Sequence, residues 1–481
     1  MSTRKLRSFG LISLGAVAGV LVSLGISAVA QRGTPLPLEE LRQFTSVFAA
    51  IKNNYVEPVT DKTLIDGAIS GMLSDLDPHS AYLDAEAFRE MQTSTQGQFG
   101  GLGIEVGTED GFVKVIAPIE DTPAARAGVR AGDLIVKIDE TPTKGMGLND
   151  AVKLMRGEPK TPITLTIARD GVAQPIEIRI VRDIIKVRSV RSKMLDGNIG
   201  YVRVSQFQEK TGTDLVKHLQ ELGAKGAPRA LVLDLRNDPG GLLHSAIGVS
   251  AAFLPPGTEV VSTDGRAPDS RHTYLASPAD YSRGDGDYAA DAPAWAKSVP
   301  MVVLVNVGSA SASEIVAGAL QDHKRAKVLG NRSFGKGSVQ VILPLSETTA
   351  VKLTTSRYFT PSGRSIQATG IEPDYVVADT ADGDLFRLPR EADLQRHLSN
   401  QQTANEVKSA ADQDNAEVPA KVFEFGGKDD FQLQQALNLL AGKPVQKGSA
   451  RAQAKADAKP GGGAAQRMKI TPTGVEPSKD K

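Results

Sequence analysis

MVVLVNVGSASASEIVAGALQDHKRAKVLGNRSFGKGSVQ, residues 301–340, decides how this chain folds. Met301–Asn306 is an apolar, β-branched run that reads as a buried strand, and it breaks at Val307-Gly308 into a turn of small residues. A helix is expected next, because Ile315, Val316, Ala319 and Leu320 recur at helical spacing after Ser311. The turn lifts a cluster of serines to a helix N-terminus, where unpaired N–H groups receive negative charge. Ala326–Leu329 reads as a second strand, and glycine-flanked Lys336 then leads into the strand-like Val339–Leu345. A serine here can attack an acyl group, provided that Ser311 and Lys336 meet.

A serine hydroxyl is a poor nucleophile at neutral pH and needs a base to take its proton as the bond forms. Lysine serves when it is neutral, and burial favours the neutral form. Lys336 lies among Phe334, Val339 and the preceding strand, so its stem can enter the domain; Gln340, four residues on, offers an amide to hold the amine. The spacing alone leaves other readings open. Ser311-Ala312-Ser313-Glu314 is also a helix capping box, Ser309 and Ser313 are rival nucleophiles, and Lys336 taken alone is a solvated turn lysine.

The chain of 481 residues is long enough for two or three domains, and 56 basic against 56 acidic residues argue against a general nucleic-acid binder. It has no cysteine, which excludes thiol catalysis, disulfides and cysteine-ligated metal. The six histidines (79, 218, 244, 272, 323, 397) lack the two-histidine helical spacing of a metal site. Neither a metal nor a cofactor is expected. Arg4, Lys5 and Arg7 precede an apolar stretch from about Phe9 to Ala30 that ends in Ala28-Val29-Ala30, which reads as an export signal. Its length also suits a membrane anchor if it is retained.

From about 36 to 93 the pattern is helical, with one stripe of Leu38, Leu41, Phe44, Val47, Phe48 and Ile51 and another of Leu64, Ile65, Ile69 and Leu73. These helices have no core of their own, so a role in dimerisation is expected. His79, in Asp77-Pro78-His79-Ser80, reads as a structural turn residue. Short strands with glycine turns fill about 97–181, and QFGGLGIEVG followed by APIEDTPAARAGVRAGDLIVKIDE resembles a PDZ domain of the bacterial protease-associated kind. Such domains add a peptide C-terminus as a strand and hold its carboxylate on loop amides, here those of Gly101, Leu102, Gly103 and Ile104.

Residues 186–375 read as a larger α/β domain with strands Ile199–Val204 and Ala230–Leu235 and a helix Asp214–Leu222. After the second strand, Asn237-Asp238-Pro239-Gly240-Gly241 exposes backbone N–H groups where an oxyanion can be held. Residues 264–294 read as a mobile surface loop. Beyond about 380 the composition thins: pieces near 385–399 and 429–441 read as amphipathic helices, and the last 35 or so residues as disordered.

GSASASEIVAGALQDHKRAKVLGNRSFGKGSVQ, with DLRNDPGGLL upstream and the PDZ-like segment before it, resembles the C-terminal processing proteases, also called tail-specific proteases. The resemblance spans about residues 36–375. It implies a multi-domain α/β chain: a PDZ β-sandwich-like domain placed before a crotonase/ClpP-like α/β protease core, with N-terminal helices. It implies Ser311 as nucleophile, Lys336 as base, Gln340 as the base's partner, and the amides of Gly241 and Ala312 as the oxyanion hole. The divisions expected are 1–30 signal or anchor, 31–95 helical, 96–185 PDZ, 186–380 protease core, 381–442 C-terminal helical region and 443–481 disordered tail. The activity expected is a periplasmic serine endopeptidase that recognises protein C-termini. Its expected partners are proteins or peptides with exposed apolar C-termini, an adaptor and a second copy of the chain, with no nucleic acid. A non-catalytic PDZ module that binds exposed C-termini is the alternative.

Overall fold

Every residue of Met301–Val305 and of Ala230–Asp234 is buried, so both strands must lie inside a sheet covered on its two faces. The computed structural model places them so. It describes residues 36–119, 121–385, 388–408, 424–448, 468–471 and 474–477. These fall into two units, Met1–Met72 and Leu73–Lys481.

In the first unit, helix Leu38–Asn54 leaves Leu38, Leu41, Phe44 and Val47 of the apolar stripe exposed among the described residues. A second helix begins at Asp61. The apolar stretch up to Ala30 lies outside the described residues. Among those described, no helix is long and apolar enough to cross a membrane.

The second unit holds the protease-like body and the PDZ-like segment. A six-stranded sheet runs in the order Val190–Leu195, Ile199–Val204, Ala230–Asp234, Met301–Val305, Lys327–Gly330, Tyr375–Val376; its first pair is antiparallel and the rest parallel. Helices Thr211–Gly223, Leu243–Ala251 and Ala312–Asp322 contribute Leu215, Leu219, Ala246, Ile247, Val316 and Leu320 to the core on one face. The other face is closed from the far end of the chain. Leu433 and Ala436 of helix Phe431–Leu440 pack on Val232, Val302, Leu304 and Leu329. The loops after Asp234 and Val305 thus leave the carboxyl ends of neighbouring parallel strands, the usual place for a site in such sheets.

A second sheet pairs Ala350–Phe359 with Ala81–Leu83, Glu259–Gly265 and Ser338–Pro344, so the strand expected after Lys336 belongs here. The PDZ-like sheet runs Ile104–Glu109, Phe112–Pro118, Leu134–Ile138, Pro162–Ala168, Ile176–Val181. Alternation along Pro162–Ala168 sends Ile163, Leu165 and Ile167 into its core. Gln98–Gly101 pairs with Asp183–Lys186 where the chain enters and leaves this sheet.

Two stretches depart from the sequence reading. Residues 264–294 include strand His272–Leu275 and a helical turn Pro278–Tyr281, and they bury Tyr281 in the core. Their polar composition masks this because Asp280 and Asp287 serve backbone and tyrosine groups. The described part of 385–399 has a single 3₁₀ turn, Glu391–Asp393, in place of an amphipathic helix. Pro389 interrupts the pattern, and Arg390 donates to the Ser333 and Arg332 carbonyls instead of facing solvent. In the tail, Met468–Thr471 and Gly474–Pro477 form an antiparallel ribbon, and most of the remaining stretch expected to lack order lies outside the described residues.

Candidate active site

Three serines crowd the start of helix Ala312–Asp322, and burial separates them. Ser309 donates to the Leu235 carbonyl at 2.8 Å and accepts the Asn306 N–H at 2.9 Å; Ser313 Oγ lies 2.9 Å from the Asp238 carbonyl and 2.7 Å from that of Ala310. Both are fully buried, with their hydroxyls committed. Ser311 is only partly buried, and its hydroxyl makes no cap hydrogen bond. Its backbone is left-handed (φ 55°, ψ −112°), where a helix N-cap is ordinarily extended. A non-glycine residue there carries strain of about 1–3 kcal/mol, a cost that collects at functional turns.

Glu314, at the third helical position, closes the capping box from its own side and does more. Oε2 accepts the N–H of Ser311 at 2.8 Å and of Lys336 at 3.0 Å, while Oε1 accepts the Ser333 hydroxyl at 2.6 Å and the Gly335 N–H at 2.7 Å. One buried carboxylate therefore ties the serine turn to the lysine loop, and the two amides meet at a single oxygen. Burial pushes this carboxyl up to about 7, against the pull of its donors. The Tyr358 hydroxyl adds a second tie, lying between the carbonyl oxygens of Lys336 and, at 3.1 Å, Ser311.

The Lys336 amine is held 2.5 Å from Gln340 Oε1 and 3.4 Å from the Ser338 carbonyl. No hydrogen bond joins it to the Ser311 hydroxyl. Burial draws its pKa from 10.5 down to about 8; Glu391, Glu314 and Asp77 resist that fall, and Lys352 adds to it. About one lysine in ten is then neutral at pH 7. The solvated turn lysine is thereby disfavoured.

The glycine loop abuts the serine turn. A Cβ on Gly240 (φ 98°) would lie 2.7 Å from Ala310 O, 2.9 Å from Ala312 N and 2.9 Å from Ser311 Cβ. The Asp238 carbonyl accepts the Ala310 N–H at 2.9 Å, stitching the loops together. Neither the Gly241 nor the Ala312 N–H donates a hydrogen bond among the described residues, so two amides beside Ser311 await an acceptor.

In the PDZ-like segment, Gly101 ends one strand and Ile104 begins the next. Between them, the Leu102 and Gly103 N–H groups donate no hydrogen bond among the described residues, although both residues are buried. Gly103 takes φ 77°, with Thr122 packed where a Cβ would stand. An arriving carboxylate would satisfy such a loop.

The sequence reading missed Glu314's cross-link, Tyr358, Thr354 and Glu391, and took the turn at 77–80 as scaffold only. Only Glu314 left a local signal, its place in the capping box. The other contacts span tens to hundreds of residues and have no spacing to read.

Residues 198–377 match the model of peptidase family S41, residues 114–169 that of the PDZ domain, and residues 15–87 that of the activating protease CtpB N-terminal domain. The chain is 45% identical over 444 residues to the carboxy-terminal-processing protease of Bartonella bacilliformis, covering 89% of this chain and 95% of that one. It is 32% identical over 412 residues to the carboxy-terminal processing protease CtpA of Bacillus subtilis, covering 85% and 84%. Among solved structures, the photosystem II D1 C-terminal processing protease matches at 31% identity with a TM-score of 0.39, over 69% of this chain and 86% of that one.

Proposed function

Because the chain belongs to the carboxy-terminal processing proteases of peptidase family S41, with a PDZ domain ahead of the protease domain, we propose that it cleaves proteins near their C-termini with Ser311 as nucleophile and Lys336 as base. The observation that carries this reading is the grouping of a hydroxyl without a cap hydrogen bond, two amides that donate to nothing among the described residues, and a lysine whose pKa burial lowers, around one buried carboxylate, Glu314.

The PDZ loop Gly101–Ile104 takes the substrate's terminal carboxylate and so holds the tail near the site, raising its local concentration. Ser311 Oγ attacks the scissile carbonyl carbon while its proton passes to the neutral Lys336 amine. The amides of Gly241 and Ala312 receive the oxyanion. Collapse breaks the C–N bond, the Lys336 ammonium returns the proton to the leaving amine, and an acyl-enzyme remains. Water, deprotonated by Lys336, then releases the new carboxylate and frees Ser311. The amine must turn from Gln340 toward Ser311 for the first step; hydrogen bonds of this kind tighten once substrate is bound.

The basic and apolar stretch 1–30 exports the chain to the periplasm, by a cleaved signal or as an inner-membrane anchor, and mass spectrometry of the mature N-terminus separates the two. The uncovered stripe of Leu38–Asn54 suits a second copy of the chain, and an adaptor would deliver substrates. Incubation of the purified chain with an unfolded protein bearing an apolar tail tests the activity. Progressive shortening that disappears in Ser311→Ala and in Lys336→Ala is expected, with Ser309→Ala and Ser313→Ala still active. Tight binding without cleavage would leave only a tail-binding PDZ module.

A further inference from the structure

The Gln340 amide has two ends of nearly the same shape, and only its oxygen can accept a hydrogen bond from the Lys336 amine. We propose that Thr354, oriented by the Asp77 carboxylate, is a positioning residue that fixes which end of Gln340 faces the base. This rests on the assignment of Lys336 as base made above.

The inventory of donors and acceptors leaves one consistent arrangement. Gln340 Nε2 lies 3.0 Å from Ser338 Oγ and 3.0 Å from Thr354 Oγ1, so both of its hydrogens are taken and Oε1 is left toward Lys336 Nζ at 2.5 Å. For Thr354 Oγ1 to accept from Gln340, its own proton must go elsewhere. It goes to Asp77 Oδ1 at 3.1 Å, and an ionised carboxylate can only accept.

Asp77 is itself fixed. Oδ1 also accepts the N–H groups of His79 at 2.8 Å and Ser80 at 2.9 Å, and Oδ2 accepts the Ser80 hydroxyl at 2.8 Å. These donors hold the carboxyl below its usual range even though burial works against them. With Ser80 Oγ receiving the Thr354 N–H at 3.1 Å, one carboxylate sets the direction of every bond from Asp77 through Thr354 and Gln340 to Lys336.

The same turn reaches the base loop by a second route. His79 Nε2 lies 2.7 Å from Glu391 Oε2, Glu391 Oε1 accepts from Gln367 Nε2 at 2.8 Å, and Gln367 Oε1 accepts the N–H of Gly337 at 2.8 Å. Asp77-Pro78-His79-Ser80 is therefore a buttress for the base.

Thr354→Val keeps the β-branched shape on the strand and removes the hydroxyl; Thr354→Ser keeps the hydroxyl. With Val, Gln340 Nε2 loses a partner, the amide is free to turn over, and the Lys336 ammonium loses its acceptor. The expected result is a fall in kcat of about tenfold at nearly constant KM. The acid limb of the pH profile should move to lower pH, because the ammonium is no longer stabilised. Asp77→Asn should move the limb the same way, and Thr354→Ser should restore most of the rate.

Wild-type kcat and limb in Thr354→Val would overturn the proposal, as would equal impairment of Val and Ser variants. Ser311→Ala and Lys336→Ala are measured alongside. If they still cleave, the base assignment itself fails. If they are inactive while Thr354→Val is unaffected, only the positioning role fails.

Discussion

At the scale of single residues, Lys336 sets the pH dependence. Its amine must be neutral to take the Ser311 proton, and its pKa stands at about 8 where an exposed lysine has 10.5. Below pH 8 the ammonium predominates, so kcat/KM is expected to rise about tenfold per pH unit and then level off above that value. A pH–rate profile with a short peptide checks this, and Lys336→Arg, always charged, should be inactive at every pH. Glu314 is the second decisive residue. Glu314→Gln puts an NH₂ group against donors on one side of the carboxyl, whichever way the amide turns. A loss of about 2–3 kcal/mol of stability is expected, with a drop in kcat of at least about tenfold as the serine and lysine turns part. Urea unfolding and turnover under folded conditions measure the two effects. The capping box was legible at Ser311 and Glu314; the reach of the same carboxylate to Ser333, Gly335 and Lys336 was not, because it depends on a loop folding back.

Elements place the chemistry by their ends. The strand Met301–Val305 and the helix Ala312–Asp322 were readable from an apolar run and a 3.6-residue period. Their junction strains Ser311 into the positive-φ region, beside the end of the neighbouring strand Ala230–Asp234 and its loop Asn237–Gly241. That loop tolerates no side chain at Gly240, where φ is 98° and a Cβ would stand within 3 Å of Ala310 O, Ala312 N and Ser311 Cβ. Gly240→Ala is expected to push the loop from the serine turn and cut kcat/KM by about 10²-fold or more, the scale of a lost oxyanion donor. Circular dichroism distinguishes this from unfolding. In the PDZ-like loop, Gly103→Ala meets Thr122 Cβ at 2.3 Å and should weaken capture of a free C-terminus, raising KM for tailed substrates and sparing short peptides. At 264–294 and 385–399 the structure departs from the surface loop and the amphipathic helix that the sequence suggests, because polar side chains there bond inward. In the fold Asp280, Asp287 and Arg390 bond to the chain itself.

Over the whole molecule, helix Phe431–Leu440 packs on the parallel sheet whose neighbouring strands lead into the serine turn and the glycine loop. Arg236, fully buried just before the glycine loop, binds Asp234 at 2.6 Å and Asp430 at 2.6 Å, and Phe425 lies against its guanidinium. Asp430 in turn caps helix Phe431–Leu440, which closes one face of the parallel sheet. Arg236→Ala leaves buried Asp430 without its cation and Asp234 with only Arg203, 3.4 Å away, and a loss of about 3–5 kcal/mol is expected, seen as a lower urea midpoint and faster proteolysis of helix Phe431–Leu440.

The sequence by itself determined the alternation of strands and helices, the PDZ segment and the candidate serine, lysine and glutamine, because periodicity, glycine placement and motif strings are local properties. Tertiary structure alone decided which of three serines keeps an uncommitted hydroxyl. It also joined the turn at 77–80 to the base across more than 250 residues, and drew Asp430 and helix Phe431–Leu440 against Arg236 at the start of the glycine loop. Burial, partner geometry and the pKa of an amine depend on what the rest of the chain brings alongside, and no spacing along the chain encodes that.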